Sequence, residues 1–235
     1  LGIHTSILVD LQGPKLRIGV VKDNAMQLDA GDEIRFTTEE CIGEDGKLYM
    51  NYQQFPSDVA VGDTILIDDG KLKLHVTDTN KKDLVKAVVE SGGILSSKKG
   101  VNLPRTKISL PCLTPKDLED LHFAMEMDVD WIGLSFVRRA QDILELKNII
   151  ARAGKKIRVV AKIEKPEAIA EIDQIIRETD ALMVARGDLG VEMPMEQVPM
   201  IQKMLVKKAI EAFKPVIIAT QMIEGMITNH ARTRA

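Results

Sequence analysis

Two stretches of this chain read alike, and together they restrict the fold more than any other feature. The first is Arg158-Val159-Val160-Ala161-Lys162-Ile163-Glu164-Lys165-Pro166. The second is Ala181-Leu182-Met183-Val184-Ala185-Arg186-Gly187-Asp188-Leu189-Gly190. Each opens on a short apolar run, β-branched in the first, as a strand buried on both faces requires. Each then turns charged and breaks, at Pro166 and at Gly187. Between them Glu167 to Arg177 has a helical pattern, with Pro166 suited to its first turn. Strand, helix and strand in that order predict a βαβ unit whose charges gather at the C-terminal strand ends. Ligands bind at that end in barrels and in open α/β sheets.

The residue types there point to a particular chemistry. Glu164 and Asp188 are expected to project from neighbouring strand ends toward one place. Two carboxylates without a full cage of protein ligands suit Mg²⁺, or Mn²⁺ in its stead, which takes its remaining ligands from water and substrate. Lys162 precedes Glu164 by two residues, so on a strand both face one side. A lysine beside a carboxylate-held metal suits anionic oxygens such as phosphate or enolate. Gly187-Asp188-Leu189 opens a turn whose N–H groups suit an anion. A plainer reading of the same residues stands beside this one: Lys162, Glu164, Arg186 and Asp188 solvate the rim of a sheet.

Composition narrows the classes. The chain of 235 residues carries 32 Lys+Arg against 35 Asp+Glu, a formal charge of −3. That balance does not favour nucleic acid as a partner. No apolar run approaches the roughly 20 residues of a membrane-spanning helix, and no basic-then-apolar signal segment opens the sequence. Cys41 and Cys112 lie far apart and make no disulfide framework, which fits the cytoplasm. The histidines His4, His75, His122 and His230 have no metal-ligand spacing.

The chain changes texture along its length. Ile7-Leu8-Val9-Asp10 is a short apolar strand ending in an acid, with Gly13-Pro14 as a break. From Leu16 to Leu110 short β-rich runs appear at Glu33 to Thr37, Thr64 to Ile67, Leu72 to Val76 and Leu84 to Val89. Asp68-Asp69-Gly70 and other turn signals separate them. Such spacing predicts a small all-β barrel. Thr114-Pro115-Lys116-Asp117 starts a helix with a cap, a proline and an acid in its first turn. Asp130 to Val137 reads as the next strand, Ala140 to Ala153 and Pro199 to Phe213 as helices, and Pro215 to Ala219 as a last strand.

Three long motifs in order are similar to those of the pyruvate kinase family. They are Ala161-Lys162-Ile163-Glu164-Lys165-Pro166, then Met183 to Glu192, then Lys214-Pro215-Val216-Ile217-Ile218-Ala219-Thr220-Gln221-Met222. Asp10-Leu11-Gln12-Gly13-Pro14-Lys15-Leu16-Arg17 and Ser97-Lys98-Lys99-Gly100-Val101-Asn102-Leu103-Pro104 extend the resemblance over essentially the whole chain. It implies an α/β fold, an incomplete (β/α)8 barrel carrying an inserted β-barrel lid. Residues 1–15 would hold the third barrel strand, 16–110 the lid, and 111–235 the barrel portion with the active site. The absent strands imply a fragment of a longer polypeptide.

The resemblance implies phosphoryl transfer from phosphoenolpyruvate to ADP, giving pyruvate and ATP, in a homotetramer when full length. Lys162 would stabilise the moving phosphoryl group, and Glu164 and Asp188 would hold the metal. Gly187, Asp188 and Thr220 would contact substrate, with Thr220 involved in protonating the enolate. Arg17 and Lys99 would reach nucleotide phosphates, and one of Asp68 and Asp69 would help hold the lid closed. Where the family usually reads Asp-Thr-Lys-Gly-Pro-Glu-Ile-Arg and binds K⁺, this chain has Leu11 for the threonine and Lys15 for the glutamate. An ammonium at Lys15 takes the role of the cation beside Asp10. Two unit charges 4 Å apart repel by roughly 4 kcal/mol at an effective dielectric of 20, so K⁺ is expected not to be required. Two other functions remain open: Mg²⁺-dependent aldol cleavage on a related barrel, and a fragment that binds ligand without turnover.

Overall fold

The structure, a computed structural model, describes residues 5–104 and 106–219. It divides into two units: residues up to Pro14 together with those from Leu110 onward, and Lys15–Ser109.

In the first unit the short apolar runs become one parallel sheet. Its strands are Leu8–Asp10, Trp131–Leu134, Arg158–Ile163, Ala181–Ala185 and Val216–Ala219, paired in that order. Each strand lies beside its predecessor in the unit, the order that a (β/α) barrel uses. Side-chain alternation divides the residues between two faces. Val159, Ala161 and Ile163 join a cluster with Leu182 and Val184 and with Leu121, Ile143, Leu146, Ile150, Ile175 and Leu205 of the helices. Lys162 and Glu164, one residue out of phase, take the other face. One alternating pattern thus makes both the core and the site.

The helices are Pro115–Glu126, Ala140–Arg152, Pro166–Ala170, Ile172–Glu178, Arg186–Glu192 and Val198–Glu211. The first has the expected cap. Thr114 Oγ1 accepts from the Asp117 N–H at 3.1 Å, and Asp117 accepts from the Thr114 N–H at 2.8 Å. Asp117, fully buried, also accepts from the Gly13 N–H at 2.9 Å, tying the helix start to the chain leaving the first strand. Gly13 sits at φ +69°, and a Cβ there would lie 2.8 Å from the Phe136 ring, so only glycine makes this approach. Loss of such a cap costs about 1 kcal/mol, and more here because the Gly13 N–H would lose its buried acceptor.

The helix expected over Glu167 to Arg177 is two shorter ones meeting at Glu171. Ala168 on the first and Ile172, Ile175 and Ile176 on the second are all buried, and the break turns both stripes onto the one core. The Ala181–Ala185 strand ends just before Gly187, as expected, and Gly187 lies in the first turn of the helix Arg186–Glu192. No helix among the described residues is long and apolar enough to cross a membrane.

The second unit is β-rich. A six-stranded sheet runs Lys47–Tyr49, Glu33–Thr37, Leu84–Ser91, Leu72–Thr79, Thr64–Ile67, Val101–Asn102. A separate two-stranded ribbon joins Met26–Leu28 to Gly93–Leu95. The pairings among these strands are antiparallel except that of Glu33–Thr37 with Lys47–Tyr49. Leu72, Leu74 and Val76 alternate inward, as do Val85, Ala87 and Val89. Phe36 and Phe55 close this core edge to face, their centroids 5.7 Å apart.

Candidate active site

The register of the parallel sheet gathers its charges at one edge. Leu134 lies opposite Ala161, so Ser135, the next residue, comes level with Lys162. Asp10 ends the first strand opposite Gly133. Lys162 Nζ meets all of these groups. It donates to both Asp10 oxygens at 2.9 Å and to Ser135 Oγ at 2.7 Å, and lies 3.1 Å from Glu164 Oε1. Ser135 Oγ is 3.4 Å from Asp10 Oδ1. Gly133 makes room for this pairing. A Cβ there would stand 3.1 Å from Asp10 Oδ1 and 3.6 Å from Lys162 Cδ.

Burial sets the electrostatics. The Glu164 side chain is 3% exposed, and its Oε2 accepts from the Phe136 N–H at 2.9 Å. Burial pushes the Glu164 carboxyl above its ordinary value. Lys162 opposes that rise, Asp188 adds to it by repulsion, and the Phe136 N–H opposes it. Burial works against the Lys162 ammonium too, but Glu164 and Asp10 outweigh it and hold the amine above its ordinary value. Lys162 is therefore a fixed cation at neutral pH, able to meet negative charge that develops during reaction.

Glu164 and Asp188 interact electrostatically across neighbouring βα segments, as two ligands of one cation would. No group of three or more His, Cys, Asp or Glu suited to a metal gathers among the described residues. A pair of hard oxygen donors whose mutual repulsion a cation would relieve fits Mg²⁺ or Mn²⁺, which completes its shell from water and substrate. Gly187 is buried and Asp188 half-buried in the first turn of their helix. Thr220 lies outside the described residues.

In the second unit, Arg17 bridges antiparallel to Gly100, and its guanidinium donates to the Lys98 carbonyl at 3.1 Å. Lys99, the neighbour of Gly100, pairs with Asp68 at 2.8 Å. Lys15 alternates with buried Leu16, and its Cε would be 3.7 Å from a Cβ on Gly100. Arg17 and Lys15 thus lie beside Gly100, and Lys99 precedes it in the chain. Asp68, Asp69 and Gly70 all take positive φ, the tight turn expected there. Partial burial works to raise the Asp68 carboxyl, yet Lys71 and Lys99 outweigh it and hold it below its ordinary value. Leu11, at 1% exposure, points into the helix-packed core.

Ser135, Phe136 and the buried pair Lys165–Glu192, whose charged atoms are 2.6 Å apart, join the site without having been expected from the sequence. The signal for Ser135 was available: it follows the apolar run Trp131 to Leu134 directly, at the strand end where ligand groups stand.

The pattern described as the pyruvate kinase barrel domain matches residues 1–235. The chain is 44% identical over 234 residues to a protein of Mycobacterium intracellulare named pyruvate kinase, a match covering 100% of this chain and 49% of that protein. A pyruvate kinase of Agrobacterium vitis is 46% identical over 240 residues, covering 100% of this chain and 49% of its own. One of Thermococcus litoralis is 42% identical over 232 residues, covering 99% of this chain and 49% of its own. The chain spans about half the length of these curated relatives. With the pattern matched end to end and the relatives this similar, the chain belongs to the pyruvate kinase family.

Proposed function

We propose that the polypeptide carrying this chain transfers the phosphoryl group of phosphoenolpyruvate to ADP, the last step of glycolysis. The bond from phosphorus to the enol oxygen breaks as one forms to a terminal oxygen of ADP. The enolate left behind takes a proton to give pyruvate. The observation that carries this reading is the Lys162 ammonium, held among Asp10, Ser135 and Glu164 at the strand ends. Phosphoryl transfer needs positioning and charge neutralisation more than covalent chemistry from the protein, and a buried, permanently protonated lysine supplies both.

Glu164 and Asp188 would hold Mg²⁺ or Mn²⁺. When bound, the ion polarises phosphoryl and enolate oxygens as a Lewis acid. By resemblance, Gly187 and Asp188 take the substrate carboxylate and Thr220 stands on the path of the proton. Arg17 and Lys99 take nucleotide phosphates; the backbone bridge from Arg17 to Gly100, next to Lys99, brings their segments side by side and supports that role. Lys15 stands where the family usually carries a glutamate, and Leu11 offers no side-chain oxygen, which supports activity without K⁺. The assembly is a homotetramer in the cytoplasm.

The aldol-cleavage alternative accounts for Glu164 and Asp188 but gives no work to Arg17 and Lys99. A coupled assay of pyruvate release from phosphoenolpyruvate on the full-length protein separates the readings. Release that depends on ADP is expected. Release without ADP, or none, would reject phosphotransfer.

A further inference from the structure

Lys165 and Glu192 form an ion pair that the reaction above does not use. Their charged atoms are 2.6 Å apart and their side chains are 8% and 2% exposed. A buried ion pair is a weak stabilising device, because desolvating both charges offsets most of their attraction. What distinguishes this pair is what it joins. Lys165 follows Glu164 directly, at the end of the Arg158–Ile163 strand. Glu192 closes the helix Arg186–Glu192, one helical turn beyond Asp188, and residues four apart share a helix face. Pinning Glu192 therefore fixes the rotation of the turn that carries Asp188. Lys165 Nζ also lies 5.9 Å over the Phe136 ring, and the N–H of the same Phe136 donates to Glu164 Oε2 at 2.9 Å. Three separate segments meet on this pair, and two of them carry the carboxylates that repel one another.

We propose that the Lys165–Glu192 ion pair is a brace that fixes the spacing of Glu164 and Asp188 for one divalent cation. Lys165 and Glu192 are positioning residues and do not touch the metal. The inference rests on the reading that Glu164 and Asp188 hold it. Without the brace, each carboxylate follows its own segment, and the repulsion between them drives the segments apart before the cation arrives.

The test is Mn²⁺ binding to the full-length protein without substrates, read from the electron paramagnetic resonance of free Mn²⁺. Lys165→Met is expected to weaken binding about 10–100-fold, the usual effect of losing a partner that orients a metal ligand. If loss of the Lys165 charge prevents that variant from folding, Lys165→Met with Glu192→Met replaces the pair by apolar side chains of similar length. The double variant is expected to keep its far-ultraviolet circular dichroism and lose Mn²⁺ affinity to the same extent, a loss that a merely structural pair would not produce. Lys165→Arg, which keeps the charge, should recover part of the affinity. Glu164→Gln is the control. If Glu164→Gln weakens Mn²⁺ binding and the folded double variant binds as tightly as the parent, the brace is wrong and the metal reading stands. If Glu164→Gln also leaves binding unchanged, both are wrong.

Discussion

Lys162 Nζ sits 2.9 Å from each oxygen of Asp10, a residue 152 positions earlier in the chain. The carboxylate that the family resemblance gives to a monovalent cation is therefore already engaged by a cation of the protein's own. The Leu11 side chain is turned into the core, so no side-chain oxygen there replaces the missing hydroxyl.

The first prediction follows for K⁺. Activity of the full-length protein should be similar in potassium and tetramethylammonium salts at equal ionic strength. By the resemblance, Lys15 stands in for the cation where the family carries a glutamate, so Lys15→Glu should introduce a K⁺ requirement, incomplete because Leu11 still lacks an oxygen on its side chain. Strong K⁺ activation of the unmutated protein would contradict this.

A second concerns Glu164 and pH. Its folded-state value is raised above the ordinary 4.5, chiefly by burial. The stability it contributes is full below that ordinary value and is lost as pH rises through the folded value. At neutral pH the buried charge is a liability that bound metal relieves. Without metal, Glu164→Gln should then raise Tm at pH 7, by about 2–4 °C for each kcal/mol recovered in a chain of this size. The gain should vanish in acid below the ordinary value. Scanning calorimetry at both pH values checks it; a lower Tm at pH 7 would show that the Lys162 contact outweighs burial.

The third tests the close approach at Gly133. Its added Cβ would press on Asp10 Oδ1 at 3.1 Å, and the half-exposed Asp10 can yield by a few tenths of an ångström. Gly133→Ala should leave the fold intact and lower kcat about tenfold, since small displacements of positioned groups carry large rate penalties. Steady-state kinetics beside a thermal melt would show it, and an unchanged kcat would mean that the Asp10–Lys162 geometry is not critical.

The local parts of this site were legible in the chain. Lys162 and Glu164 share a face because strands alternate, and Pro166 marks where the strand must stop. Thr114 and Asp117 announced their helix by capping chemistry alone. Lys162's partners were not legible. Ser135 arrives from 27 residues away and Asp10 from 152, and only the sheet register brings them level. Lys165 and Glu192 were hidden for the same reason; each reads as a surface charge until the packing buries both. Strands such as Val101–Asn102 and Lys47–Tyr49 are too short to show a period, and their pairing is fixed by the longer neighbours they join. The break at Glu171 follows from what the two halves pack against, which no helical pattern encodes.

The most direct test of the account is kcat for Lys162→Met in the full-length protein, with KM for phosphoenolpyruvate measured beside it. Lys162 is held above its ordinary value of 10.5 and stays charged throughout the working range. If it neutralises the transferring phosphoryl group, kcat should fall by about 10²–10³ or more while KM changes far less. An unchanged kcat would contradict the account, because the cation at the centre of the strand ends would then have no part in the reaction.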